Sequence, residues 1–350
     1  MNSKITLLLC FFLFSVSLLS YGQDDAEKID NLINEGYQLH EAADYQGAIA
    51  KYQEAIQLDG KNLLAHAEIA FSYYRLEQYN KSIEHCKKAI KYHKKDERLS
   101  TVYVTYGNSL DMIGKTKKSI KIYKEGIKKF PEDFMLYFNY GITLMKKGKK
   151  EDALPQFQMS AKLNPLHASS HYLQALTTSE LRMQVPSILA GWRFLILEPT
   201  GERAKLIRAG VANIMKGNAQ RTGKNEITIN INDFMSKGEK ENDFSAINMI
   251  LGLSGAVDLG EEGIALTEQE IIFNKMETIC KMLTEDEEKS KGYYWEYYAP
   301  YFSALHKSGH LEAFSHLFLA STNEDVIQNW FEKNGEKIEQ FYQWSEAYEW

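Results

Sequence analysis

Cysteine is scarce: the chain has three in 350 residues, and only Cys86 and Cys280 lie beyond residue 22. Two thiols so far apart form neither a metal-ligand spacing nor a redox pair. Each sits in an apolar helical setting, so both read as small buried hydrophobes, with a long-range disulfide as the alternative that export would permit. No segment after residue 22 is apolar for long enough to span a bilayer. Signatures of chemistry are missing as well. There is no nucleophile elbow, no phosphate-cradling glycine loop and no Cys–His pattern. His306 and His310 stand four apart with His316 beyond, but Ser308-Gly309 interrupts the helix and no carboxylate or cysteine completes a ligand set. Glu285 to Glu288 read as a solvated helix end, not an acid–base pair. No catalytic residue, metal or cofactor is expected; an enzyme in the C-terminal third would need a polar cleft that the sequence does not display. A sequence pI of about 5.9 without a recognition motif argues against nucleic acid.

What is present begins with an address. Lys4 precedes an almost wholly apolar stretch from Ile5 to Leu19, and Ser20-Tyr21-Gly22 sets small residues before Gln23. That is the layout of a secretory signal peptide over 1–22, with an uncleaved anchor as the alternative. Cys10 lies inside the apolar stretch, not behind a small residue at its end, so lipidation is not expected. The mature chain is expected to be exported, without a transmembrane segment.

Beyond it runs a repeat of 34 residues. Ala48, Tyr52, Ala55 and Gly60 set the register. The quartet returns as Ser82, Cys86, Ala89, Lys94, then Ser119, Tyr123, Gly126, Pro131, then Ala153, Phe157, Ser160, Pro165, and in worn form as Ser187, Gly191, Phe194, Pro199. A second mark precedes each quartet: Gly36-Leu39, Ala70-Tyr73, Gly107-Leu110, Gly141-Leu144 and Ala175-Thr178. A period of this length, with small residues where helices touch, predicts stacked helical hairpins. Glu97 to Leu99 are extra residues between the second and third copies, expected to extend a turn.

These motifs resemble the tetratricopeptide repeat family over residues 29–201. The resemblance implies an α-solenoid of about five hairpins, with first helices lining a concave groove and second helices covering the convex side. It also implies four groove positions on each first helix. In copy one these are Asp30, Ile33, Tyr37 and His40; the apolar groove candidates are Ile33, Tyr37, Phe71, Tyr74, Met135, Phe138, Met145 and Tyr172. Chaperone-binding members hold a terminal carboxylate with Lys and Asn, and Ile33 and Tyr37 stand where the first of these would be. A carboxylate clamp is therefore not expected. An oily groove suits an apolar or amphipathic segment of another protein, unless the chain's own C-terminal part fills it.

Charge is unevenly placed. Residues 81–150 hold 18 Lys and Arg against 7 Asp and Glu, whereas residues 202–350 hold 15 against 25. Lys81, Lys87 and Lys91 recur in copy three as Lys118, Lys124 and Lys128, all on second helices. They read either as a solvated face or as a patch for an acidic partner. The acidic tail docking on the array would use charge for orientation and apolar contacts for energy.

Glu202 to Lys216 reads as a capping helix that completes a first domain over 29–217. Arg221 to Asn225 reads as a loop, and alternating Ile227, Ile229 and Ile231 as a short strand. Helical signals fill the second domain, 226–350: Phe244 to Val257, a capping box at Thr267 to Glu270 opening a run to about Lys289, then about 293–308, 311–320, 324–334 and 336–349. Residues 293–350 carry sixteen aromatics, including four of the five tryptophans: Trp295, Trp330, Trp344 and Trp350. They read as an aromatic core, or as a stacking platform for sugar rings or a partner helix. The expectation is an all-α interaction scaffold of the periplasm or cell envelope of a Gram-negative-type bacterium, a eukaryotic secreted origin being the alternative. A glycan-binding accessory protein using the C-terminal aromatics is the other reading.

Overall fold

A computed structural model describes residues 25–217, 219–223, 226–229, 241–259, 266–286, 291–322 and 324–350. The expected signal peptide and Cys10 lie outside the described residues, as does Ile231. Among the described residues the fold is all-α apart from one small hairpin, and the chain divides into two compact units, 1–143 and 144–350.

The first unit is a run of helices: α1 (25–41), α2 (Tyr45–Leu58), α3 (Leu63–Arg75), α4 (Tyr79–Tyr92), α5 (Leu99–Met112), α6 (Thr116–Lys129) and the start of α7 (Phe134–Lys146). From α2 to α6 each helix packs on the next, and α3 also meets α5. Side-chain caps open two of them: Asp44 accepts from the Gly47 amide at 2.9 Å and Asn62 from the Ala65 amide at 3.0 Å. The repeat marks are contact points. A Cβ on Gly36 would lie 2.3 Å from the Tyr52 ring, and one on Gly107 would lie 2.5 Å from Tyr123. Glycine there lets the hairpin helices close onto a buried tyrosine.

The hairpin turns share one conformation. Ala43, Glu77, Gly114, Gly148 and Arg182 all have φ between 58° and 75°. The residue after each donates its amide five residues back, as from Asp44 to Leu39 and from Gln78 to Tyr73. This is a Schellman closure, satisfying carbonyls that the ended helix leaves open. The extra residues before copy three form a turn in which Asp96 accepts from the Arg98 guanidinium, and α5 starts at Leu99.

The second unit continues with α8 (Lys150–Leu163), α9 (Ala168–Glu180), α10 (Gln184–Leu197) and α11 (Glu202–Lys216). An antiparallel hairpin follows, β1 (Ala219–Gly223) with β2 (Glu226–Ile229), pairing Gln220 with Thr228 and Arg221 with Ile227. The expected loop at Arg221 to Gly223 is thus strand: it supplies the partner that a lone Ile227 strand would lack. Then come α12 (Ser245–Asp258), α13 (Glu268–Asp286), α14 (Tyr293–Tyr297), α15 (Ala299–Lys307), α16 (Leu311–Leu319), α17 (Asp325–Lys333) and α18 (Gly335–Glu346). The capping box is formed, with Thr267 and Glu270 exchanging bonds of 2.8 and 3.3 Å. The expected helix over 293–308 breaks at Tyr298, because Pro300 sits at the start of α15 and has no amide to continue the ladder.

One core cluster runs from Ala161 to Phe341. At its centre is α10, buried at every position from Val185 to Ile196. Arg193 is 1 % exposed; its guanidinium lies 4.4 Å from the Trp350 ring and donates to the Pro165 carbonyl at 3.3 Å. The cationic group is held by ring faces and a carbonyl, and burial lowers its pKa. Lys275, also buried, reaches Asp258 at 2.6 Å and Ser254 at 3.1 Å. The expected boundary after residue 217 falls inside this core, since capping helix and C-terminal helices bury a common apolar surface.

Candidate interaction surface

The expected row begins on α1. Tyr37 is 36 % exposed, and its hydroxyl donates to Glu68 Oε1 on α3 at 3.4 Å. Partial burial, then the negative Glu68 beside it, pushes the Tyr37 phenol up to about 12. One turn on, His40 stacks on Phe71 with centroids 5.0 Å apart and planes at 17°. His40 Nδ1 lies 3.1 Å from the Ser72 hydroxyl. Burial and then the Arg75 charge lower its pKa, so the ring is neutral at pH 7. Phe71 is 37 % exposed, and Tyr74 is half-buried against Tyr79 at 5.7 Å. Tyr37, His40, Phe71 and Tyr74 therefore form an aromatic surface on α1 and α3. On α7, Met135 and Phe138 are half-buried.

Ile33 does not belong to this surface. It is 3 % exposed, packed in a core cluster with Ala48 and Tyr52 of α2 and Ala65 and Ile69 of α3. Its place between two neighbouring helices closes it off, so the family's outward register holds for Tyr37 and fails for Ile33.

In the second unit the row is more enclosed. Met145 is half-buried and its sulfur accepts from Thr177 Oγ1 at 3.6 Å. Tyr172 sits between Phe194, 5.2 Å away, and the Arg203 guanidinium, 5.1 Å away. The C-terminal helices meet first and second helices alike: the Tyr297 hydroxyl donates to the Ala161 carbonyl on α8 at 2.8 Å, that of Tyr293 to the Gln158 carbonyl on α8 at 3.4 Å, and Tyr298 bonds His171 on α9.

The C-terminal aromatics are buried in the core or packed against its edge. Tyr294, Tyr298, Tyr301, Phe302, Phe314 and Phe318 are fully buried. Trp295 is 4 % exposed, stacked on Phe244 at 4.4 Å and 11°, and Trp330 stacks on His316 at 3.7 Å. A platform for sugar rings built on Trp295 is thereby overturned: its faces are occupied by protein. His316 Nδ1 is engaged by the Glu312 carbonyl at 2.9 Å, and among the described residues no three His, Cys, Asp or Glu gather as a metal site. Cys86 and Cys280 are free and buried, and burial pushes the Cys86 thiol up to about 12. No helix among the described residues is long and apolar enough to cross a membrane.

All six named lysines, Lys81, Lys87, Lys91, Lys118, Lys124 and Lys128, are exposed. Lys81 lies over the Tyr73 ring at 5.1 Å and donates to Gln78 at 2.8 Å. One exposed apolar stripe escaped the sequence reading: Met249, Leu253 and Val257 on α12. Its one-turn spacing was the available signal.

Residues 39–103 match the tetratricopeptide repeat family model. Tetratricopeptide repeat protein 28 of Homo sapiens is 22 % identical over 138 residues, covering 39 % of this chain and 5 % of that protein. The small glutamine-rich tetratricopeptide repeat-containing protein 2 of Mycosarcoma maydis is 26 % identical over 113 residues, 32 % of this chain and 31 % of that protein. The chain thus spans under a third of either relative's length. Among solved structures, YrrB, a tetratricopeptide protein with an unusual peptide-binding site, is 18 % identical at a TM-score of 0.41, covering 55 % of this chain and 97 % of its own.

Proposed function

We propose that this protein is a non-catalytic interaction scaffold of the bacterial cell envelope, holding an apolar or amphipathic segment of another protein on its first-helix aromatic row. The observation that carries the reading is the grouping of Tyr37, His40, Phe71 and Tyr74, with over a third of the Phe71 surface open to solvent. Rings that are partly exposed, and backed by a neutral imidazole, gain by burying area against an apolar partner. No lysine stands at the Ile33 and Tyr37 positions where a terminal carboxylate would be held, which favours side-chain recognition over end recognition. Export rests on the Lys4, Ile5–Leu19, Ser20-Tyr21-Gly22 layout.

The test replaces Phe71, Tyr74 and Phe138 together with Ser and compares capture from the native host. Partners held by the wild-type protein should be lost while helical content and melting temperature stay near wild type. The same partners retained by a folded variant would remove the row as the site.

A further inference from the structure

A second surface, separate from the aromatic row, lies on the lysine-rich side of the first unit. A cleft of about 510 Å³ opens where α4, α5 and α6 meet. Its floor is apolar, made by Ile90, Tyr106 and Ile122, each half-buried. Its rim is cationic: Lys87 and Lys91 come from α4, Lys94 from just beyond it, and Lys129 from α6, its ammonium donating to the Lys94 carbonyl at 3.5 Å. Glu125 is the single carboxylate of the lining, and it faces Lys121 at 3.9 Å. None of the four rim lysines is ion-paired among the described residues. Lys129 instead lies 5.3 Å over the Tyr103 ring and Lys91 lies 5.7 Å over Tyr92.

A solvated lysine face needs no cavity beneath it. Here the ammonium groups surround a concavity whose floor offers water few hydrogen-bond partners, so an apolar group gains by displacing that water. The volume falls in the range of ligand pockets, about 300–1,000 Å³. Four unpaired cations round an apolar floor fit carboxylates that flank one bulky apolar side chain. A bilayer fits less well, because membrane-binding faces insert projecting apolar groups, whereas these floor residues are recessed between helices.

We propose that this cleft binds an acidic peptide segment, seating an aromatic or long aliphatic side chain on Ile90, Tyr106 and Ile122 while neighbouring carboxylates meet Lys87, Lys91, Lys94 and Lys129. The site shares no residue with the first-helix row, so the two readings stand or fall separately. Fluorescence anisotropy of the full chain with a labelled peptide, acetyl-Glu-Glu-Phe-Asp-Glu-amide, tests it. Binding should weaken as salt rises, since about 0.1 M screens exposed charges beyond ~10 Å. Replacing the probe's Phe with Ser should weaken it about tenfold or more, the scale of one buried aromatic side chain. The exposed pair Lys87→Glu and Lys94→Glu should lower affinity about tenfold, while Lys87→Arg with Lys94→Arg keeps it, leaving the melting temperature unchanged. The proposal is overturned if the peptide does not bind, if the Ser probe binds equally well, or if the Glu variant binds like wild type. It is equally overturned if phosphatidylserine vesicles bind through these lysines while the peptide does not.

Discussion

His171 Nδ1 and the Tyr298 hydroxyl lie 2.6 Å apart, a buried hydrogen bond between residues 127 positions distant in the chain. The other ring nitrogen, Nε2, faces the Pro165 carbonyl at 3.0 Å. A carbonyl only accepts, so Nε2 carries the proton and Nδ1 accepts from Tyr298. The imidazole is neutral in the folded protein. Burial first, and the nearby Arg193 charge second, hold its pKa down to about 3.

That depressed pKa sets a pH dependence with a definite sign. Unfolding frees His171 to bind a proton near the ordinary value of about 6.5, so its contribution is complete above that pH and declines as pH falls toward about 3. All five tryptophans lie in the second unit, so their fluorescence follows its unfolding. Stability by urea titration should fall by up to about 1.4 kcal/mol per pH unit below about pH 6 from this group, and His171→Asn should flatten the slope. An unchanged slope in the variant would assign the acid sensitivity elsewhere.

Gly36 should be irreplaceable only while Tyr52 faces it. A Cβ there would meet the Tyr52 ring at 2.3 Å, and Gly36→Ala is expected to cost about 1–3 kcal/mol. Copy two carries Ala70 and Cys86 at the same two positions. In a Tyr52→Cys background, Gly36→Ala should therefore cost under about 0.5 kcal/mol, a coupling visible in a double-mutant cycle. Equal costs in both backgrounds would show that the glycine serves something other than this contact.

The hairpin turns offer a gain. Ala43, Glu77 and Arg182 hold φ near 60° where copies three and four have Gly114 and Gly148. Exchanging each for Gly should stabilise by about 0.5 kcal/mol, as relief of the left-handed cost exceeds the added chain entropy. Gly114→Ala should cost about 1 kcal/mol. Thermal unfolding of the single variants decides it, and destabilisation at all three positions would contradict the strain argument.

Trp295 is expected to behave as a core residue. Its ring stacks on Phe244 and its indole N–H donates to the Asp243 carbonyl at 3.1 Å. Trp295→Ala should lose about 3–5 kcal/mol of stability, and oligosaccharides should leave wild-type tryptophan fluorescence unchanged. A variant of normal melting temperature that has lost a sugar response would revive the glycan reading.

The repeat was legible because its marks are the contact points themselves: Gly36 against Tyr52 and Gly107 against Tyr123 leave a size pattern that recurs with the hairpin. Turn positions were less so, since Glu77 and Arg182 carry no sign of a left-handed backbone. The unit division was hidden for a different reason. Nothing local to Arg193 or His171 announces Trp350 or Tyr298 as a partner, because such pairings are chosen by tertiary packing. The interaction row was read from register alone, which placed Tyr37 and Phe71 at the surface and misplaced Ile33, whose burial depends on how closely α2 and α3 approach. The cleft beneath the lysines was invisible for the same reason, as Ile90 and Ile122 acquire a common floor only when three helices meet.

The central claim is that the first-helix row is the partner-binding face. A photo-crosslinking residue in place of Ala67, half-buried on α3 one turn before Phe71, tests it while leaving the aromatic rings intact. Illumination of the full chain in its native host should give a discrete adduct from position 67 and none from the control position Val326, which is 73 % exposed on α17. The same adduct from position 326, or an adduct from that position alone, would contradict the account.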